Sequence, residues 1–339
     1  MHVKVESQGK ASIGVEPKCA IISGIYGQDG SLLAELLLTL GYRVVGLVTE
    51  RKREFRGLDS VEIIETDISD LDAMRSVFAA VQPNEFFHLA AYHHSSDQQL
   101  ALEGHRQMLR INFVATQSIL EALLEKSPTC RFLYAGSSQM YTAREGVTTI
   151  DETIPFSPST YYGITKVASA HLVELLRRER GLWGVTAILF NHESTRRSTR
   201  FLSRMVSSSA AAFKAKGRAA LPRLTLRDLT ARTDWSSAVD IVRGMHATLQ
   251  AQFVQDYVLA SGAVHTVGDL VQVAFAAVDL DWHEFVVSNG PVTTSLGACL
   301  LGDPGRAQSV LGWRAEKMFP DLIREMVLHD LALAMGTNL

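Results

Sequence analysis

The sequence predicts an α/β fold, a doubly wound parallel sheet with helices on both faces and a smaller mixed α/β lobe. Three observations lead there. Short β-rich runs alternate with helical patterns through the first half of the 339 residues, the order that parallel βαβ units produce. The β-rich runs are apolar without clean period-two alternation, as expected of strands covered on both faces. The first of them ends in a glycine loop that opens onto a helical pattern.

The elements follow in order. Residues 19–24 form a strand ending in glycine, and 31–40 have helical composition. Strands at 42–48 and 61–65 precede a helix at 71–80 and a strand at 85–90. A long helix at 109–124, a strand at 131–135, a helix at 165–180 and a strand at 184–190 complete the regular part. After Phe190 the pattern loosens, and segments 192–230 and 265–303 are polar and irregular. Residues 18–190 are therefore read as one domain with later returns near 231–262, and 191–339 mainly as an interleaved second lobe. No internal repeat or low-complexity segment is evident.

Composition narrows the function classes. With 47% hydrophobic and 20% charged residues the chain can bury a large core and stay soluble. A net charge of -3 gives no electrostatic reason to expect nucleic acid or an anionic membrane as partner. No run of 18 apolar residues appears. Residues 1–17 read as a polar, mobile leader without the apolar stretch of a signal peptide, so a cytoplasmic location is expected. Cys19, Cys130 and Cys299 form no C-x-x-C pair, and the first two read as buried thiols in a reducing compartment. His88, His93 and His94 have no third ligand at a useful spacing, so no metal is expected.

The glycine loop is Gly24-Ile25-Tyr26-Gly27-Gln28-Asp29-Gly30. Glycines between a strand and a helix let backbone N–H groups approach a pyrophosphate at the helix N-terminus, which points to a dinucleotide. Asp67-Ile68 follows the third strand, where a carboxylate could accept from an adenine amino group; Asp70 reads equally well as a helix N-cap. Glu50 and Arg51 end the second strand. An acid there favours free ribose hydroxyls and an arginine a 2′-phosphate, so the cofactor is NAD or NADP.

Tyr162-Gly163-Ile164-Thr165-Lys166 places a tyrosine and a lysine on one helix face. A nearby ammonium stabilises phenolate, so Lys166 is expected to lower the pKa of Tyr162 and fit it for acid–base work at a carbinol. Ala135-Gly136-Ser137-Ser138-Gln139 follows a strand, at the carboxyl end where doubly wound folds bind ligands.

With the glycine loop, serine pair and Tyr-x-x-x-Lys in this order, the chain resembles the extended short-chain dehydrogenases/reductases, and within them the GDP-mannose 4,6-dehydratase branch. Phe190-Asn191-His192-Glu193-Ser194-Thr195-Arg196-Arg197 is similar to that branch's Phe-Asn-His-Glu-Ser-Pro-Arg-Arg. Gly262-Ala263-Val264-His265, Leu301-Gly302-Asp303-Pro304 and Leu311-Gly312-Trp313 are further matches, and the resemblance spans roughly 18–332. It implies a Rossmann-type dinucleotide-binding domain and a substrate lobe. By the same resemblance, hydride is expected to leave sugar C4 while Tyr162, tuned by Lys166, takes the hydroxyl proton and Ser137, beside Ser138, holds the C4 oxygen. A glutamate then removes the C5 proton, water leaves from C6, and hydride returns there. Leu89, Ala90, Ala91, Tyr92 and His192 join the glycine loop as expected cofactor contacts. His94, Asn191, Glu193, Arg200, Arg204, Arg227 and Arg232 are the expected substrate contacts. A homodimer or homotetramer paired through helices at 111–124 and 165–180 is also implied, although apolar residues there could equally be core.

The chain departs from the branch where it matters most. Gln139 stands at the catalytic glutamate's position, and an amide cannot act as a base near neutral pH. General acid–base catalysis is worth about 10²–10⁴-fold, so ordinary 4,6-elimination should be crippled. The leading expectation is therefore chemistry at C4 of a nucleotide-linked, GDP-linked sugar: 4-ketone formation, reduction or epimerisation. The second is a 4,6-dehydratase with a substituted base (His93, His94 or Glu193), and the third a catalytically silent cofactor-binding homologue. Met205 replaces the branch's phosphate-contacting lysine and Thr233 its arginine, leaving Arg200, Arg204, Arg223, Arg227 or Arg232 to hold a diphosphate.

Overall fold

The computed structural model describes residues 17–51, 59–93, 101–144, 146–290 and 298–336. The expectations for residues 1–16 and for His94 lie outside them. Strand β1 (Cys19–Ser23) leads through α1 (Gln28–Thr39) to β2 (Arg43–Val48), β3 (Glu62–Glu65), α2 (Leu71–Val81) and β4 (Glu85–His88). Helix α3 (Leu102–Leu109) continues through a π-helical turn at Arg110–Val114 into α4 (Ala115–Lys126), followed by β5 (Arg131–Ala135). Then come β6 (Val147–Ile150), α5 (Tyr161–Arg180), β7 (Gly184–Leu189) and β8 (Asn191–Glu193). The remainder is α6 (Leu202–Lys216), β9 (Leu224–Leu226), β10 (Arg232–Ser237), α7 (Ala238–Gln250), β11 (Tyr257–Leu259) and β12 (Val264–Thr266). It closes with α8 (Val267–Ala276), β13 (Val286–Ser288), β14 (Cys299–Gly302), α9 (Gly305–Leu311) and α10 (Phe319–Ala334).

Seven strands form one sheet in the order β11-β7-β5-β4-β1-β2-β3, and every pairing in it is parallel. Neighbouring residues of β1 serve opposite faces. Ile21 joins Phe86, Met74, Phe78, Ile119, Leu123 and Val173 in one core, and Ile22 joins Phe87, Leu133, Leu33, Leu37, Ile241 and Met245 in the other. Burying both faces is what made these strands continuously apolar. Because α7 and β11 belong to the second of these cores, the chain returns to the sheet after entering the lobe. The lobe has its own core, in which Phe213, Trp235, Phe275, Phe319 and Met326 bring α6, β10, α8 and α10 together. All three cysteines are buried free thiols.

Two helices differ from the sequence expectation. α5 begins at Tyr161, four residues before the expected start, because Thr160 caps it: its Oγ1 accepts from Gly163 N at 2.9 Å. The long helix expected from residue 109 begins at Leu102 and is interrupted by the π turn. That turn brings Asn112 to the loop after β4, where Asn112 Oδ1 accepts from Tyr92 N (2.7 Å) and Nδ2 donates to Tyr92 O (3.2 Å). Among the described residues no helix is long and apolar enough to cross a membrane.

Candidate active site

β1 and β4 are neighbours, while the connection after β1 runs away from β4 to β2. A crevice therefore opens at their carboxyl ends, the usual ligand position in such sheets. The glycine loop lies there. Gly24 has φ +79°, and a Cβ on it would sit 2.8 Å from Ala90 N. A Cβ on Gly30 would meet Gly24 O at 2.3 Å. Only hydrogen fits at either position, so loop and helix close tightly. Gly27 caps α1 without a side-chain bond, leaving the first-turn N–H groups available to an anion.

The loop is tied to the run after β7. His192 Nε2 lies 2.9 Å from Asp29 Oδ2, and its Nδ1 lies 2.7 Å from Phe190 O. Gln28 Nε2 donates to His192 O (3.1 Å), and Ser194 Oγ donates to Gln28 Oε1 (2.8 Å). Burial would raise the Asp29 carboxyl, but the His192 charge and hydrogen bond hold it below its usual value. Burial would likewise lower His192, and Asp29 raises it instead.

Tyr162 and Lys166 occupy the first turns of α5. Gly163 permits this placement, since a Cβ there would be 2.1 Å from Gln139 O. The helix start thus abuts the Ser138–Met140 turn after β5. Ser137 Oγ accepts from Gln139 N at 3.2 Å, and its hydroxyl is near enough to Tyr162 to favour the phenolate. Ser138 is half-buried beside it. The expected lowering of the tyrosine pKa is not what the structure gives. Burial pushes the Tyr162 phenol above its ordinary range and Asp29 adds to this, while Arg197 and the Ser137 hydroxyl pull the other way. Lys166 lies 5.5 Å from the Tyr162 ring and donates from Nζ to Ala135 O at 2.8 Å. Burial lowers its own pKa to about 7, and an ammonium so desolvated is a weak source of positive charge.

Other expected contacts fall into three groups. Glu50 and Arg51 lie exposed at the end of β2, with Arg51 Nη2 donating to Ile63 O at 2.6 Å. Asn191, Arg200 and Arg227 are exposed and Arg232 is half-buried. Leu89, Ala90 and Ala91 follow β4 on the crevice loop, half-buried or exposed, and Tyr26 is half-buried in the glycine loop.

Four residues have partners within the protein. Asp67 accepts from Ser69 N (2.9 Å) and Ser69 Oγ (2.7 Å) and is paired with Arg110. Against burial, these bonds hold its carboxyl low. Ile68 is part of the core. Arg204, expected at the substrate, is buried and paired with Asp330, and its Nε donates to Arg197 O at 3.2 Å. Glu193 is also buried, with Ser203 Oγ donating to it at 2.6 Å and Arg197 Nε 3.4 Å away; burial raises its carboxyl.

Sequence reasoning left three neighbours of Tyr162 out of the expected site. Thr160 was signalled by its N-capping residue type. Arg197 stood in the quoted Asn-His-Glu-Ser run. His93 was weighed only as a substitute base. His88 is inside the protein, 2.7 Å from Ser23 Oγ and 3.1 Å from Thr116 Oγ1, and burial lowers it to about 3. Among the described residues, no three His, Cys, Asp or Glu gather as metal ligands.

A parallel seven-stranded sheet with this loop, serine turn and tyrosine helix along one edge places the chain among the extended short-chain dehydrogenases/reductases. More narrowly, it belongs to the GDP-mannose 4,6-dehydratase family, whose sequence profile matches residues 21–326. GDP-mannose 4,6 dehydratase 2 of Arabidopsis thaliana is 32% identical over 342 residues, covering 94% of this chain and 89% of the relative. Among solved structures, dTDP-glucose 4,6-dehydratase of Bacillus anthracis in complex with NAD superposes with TM-score 0.79 at 13% identity, covering 92% of this chain and 96% of that one. A Pseudomonas aeruginosa protein complexed with NADPH, described as RMD, gives 0.76 at 19% identity, covering 93% and 99%.

Proposed function

We propose that the protein binds NAD or NADP together with a GDP-linked hexose and oxidises the sugar at C4. The observation that supports this most is the close seating of the start of α5, with Tyr162, against the serine turn after β5, where buried Lys166 donates to Ala135 O. Two hydroxyls on abutting turns are suited to one alcohol oxygen.

The cofactor fits the chain. Gly24 and Gly30 have no room for a Cβ, and the uncapped start of α1 offers N–H groups to a pyrophosphate. Gln28 and Asp29, fixed by His192 and Ser194, hold the loop shape; Ala90 and Tyr92 line the opposite strand end. Bound there, the nicotinamide supplies a hydride acceptor at C4. Ser137 orients the C4 oxygen, and Tyr162 moves its proton. Because burial keeps Tyr162 a phenol, removing a proton from the sugar grows easier as pH rises, and delivering one to a ketone grows easier as it falls.

Gln139 cannot act as a base at neutral pH, so unless another group takes the proton beside the ketone this reading ends at C4: a 4-ketone, its reduction or epimerisation, without loss of water. A second reading, 4,6-dehydration with a substituted base, is supported by His93 Nε2, 3.3 Å from the Gln139 amide nitrogen. Incubation with GDP-, CDP- and UDP-hexoses, followed by mass spectrometry, separates the two. A 4-keto or 4-epimeric product of undiminished oxygen content supports the first, and a product lighter by one water supports the second. Cofactor binding without turnover of any sugar in the panel overturns both.

A further inference from the structure

The group that touches the Gln139 amide is itself a base. His93, half-buried on the loop after β4, stands edge-on to Tyr162 with ring centroids 4.7 Å apart and planes at 83°. Its ring is 5.7 Å from that of Phe201, and Phe201 carries the Arg197 guanidinium at 3.7 Å. Its hydrogen-bond neighbours are the Gln139 amide and, through it, Thr160. Thr160 Oγ1 accepts from Gly163 N at 2.9 Å and donates to Gln139 Oε1 at 3.3 Å. The amide nitrogen, a donor only, then faces His93 Nε2 at 3.3 Å. In this arrangement Nε2 accepts from the amide, as the unprotonated nitrogen of a neutral imidazole does. The contact is at the long limit for a hydrogen bond.

A ketone at C4 acidifies the hydrogens on the carbons beside it. We propose that His93 is the proton acceptor for a carbon adjacent to the C4 ketone of a nucleotide-linked sugar, the task for which the Gln139 amide is unfit. This rests on the reading that Tyr162 and Ser137 hold the C4 oxygen. The carbon–hydrogen bond breaks, the proton joins Nε2, and the bonding pair forms the enolate double bond. The carbonyl pair moves to the C4 oxygen, where Tyr162 and Ser137 donate to it. Reversal returns a proton to carbon. No oxidant or reductant enters, and both inversion and loss of a neighbouring hydroxyl start from this enolate.

The test needs no hydride transfer. The protein is incubated in D₂O with a GDP-linked 4-keto-6-deoxyhexose, and deuterium uptake is followed by mass spectrometry while calorimetry measures binding of the same ketone. The wild type should speed uptake at least about tenfold over buffer. His93→Phe keeps the ring packing but has no nitrogen, and should lose about 10²-fold of that uptake or more. His93→Phe combined with Gln139→Glu, which supplies a carboxylate, should regain part of it. His93→Asn is the second variant should phenylalanine disturb folding. A bound ketone that exchanges equally in wild type and variant, or in neither, overturns the role of His93. A ketone that does not bind overturns the nucleotide-sugar reading beneath it.

Discussion

Asp29 and His192, 163 residues apart in sequence, meet at 2.9 Å and join the first turn of α1 to the end of β7. The other ring nitrogen faces a carbonyl oxygen, Phe190 O at 2.7 Å, which can only accept. Both nitrogens therefore donate, and His192 is an imidazolium paired with a carboxylate.

The pair sets a pH window. Asp29, held below its unfolded value of 3.8, stabilises the fold above that pH and ceases to as pH falls through its lowered folded value. His192, held above 6.5, stabilises fully below that pH and less as pH rises through its raised folded value. His192→Asn should cost about 3 kcal/mol at pH 5.5–6, and clearly less at about pH 9. Urea denaturation at the two pH values measures this, and an equal loss at both would count against the ion pair.

Lys166 works in the opposite direction. Its folded pKa of about 7 lies below the ordinary 10.5, so burying it costs stability below neutrality, and the cost fades as pH rises toward 10.5. Lys166→Met removes that cost together with the bond to Ala135 O, worth about 1 kcal/mol. The variant should melt higher than wild type at pH 6–7 and no higher at about pH 10, while losing turnover. Thermal scans across this range should show the difference change sign.

Gly24→Ala meets both a left-handed backbone and the Ala90 amide at 2.8 Å. About 1–3 kcal/mol of stability should be lost. Dinucleotide affinity, read by fluorescence titration, should fall at least about tenfold, because the Cβ pushes apart the two strand ends that form the cradle.

Arg204 and Asp330 are both almost fully buried. Arg204→Met should cost about 3–5 kcal/mol by stranding the carboxylate. Adding Asp330→Leu should recover most of it and leave nucleotide-sugar affinity as in wild type. Reduced affinity in the double variant would return Arg204 to the substrate site.

The sheet was legible because parallel strands buried on both faces have apolar interiors without alternation, as in Ala20-Ile21-Ile22 of β1 and Phe132-Leu133-Tyr134 of β5. The start of α5 was harder. Tyr161, Tyr162 and Gly163 have poor helix propensity, and the deciding signal was the capping Thr160 just before them. The π turn at Arg110–Val114 leaves no trace in a continuous helical pattern. In the site, the glycine loop and Tyr162–Lys166 could be read because their spacing is local. Arg204 was misplaced because its partner, Asp330, lies far along the chain, and composition does not show which carboxylate an arginine meets. The expected tuning of Tyr162 failed for a similar reason: helix spacing puts Lys166 nearby, but burial decides its charge.

The central claim is that Tyr162 moves the proton when C4 is oxidised. Single-turnover mixing of protein, oxidised cofactor and GDP-hexose, followed at the absorbance of the reduced nicotinamide, tests it most directly. Wild type should produce reduced cofactor faster as pH rises, and Tyr162→Phe should slow this about 10²–10⁴-fold with sugar binding intact. Reduction of cofactor by Tyr162→Phe at the wild-type rate would contradict it.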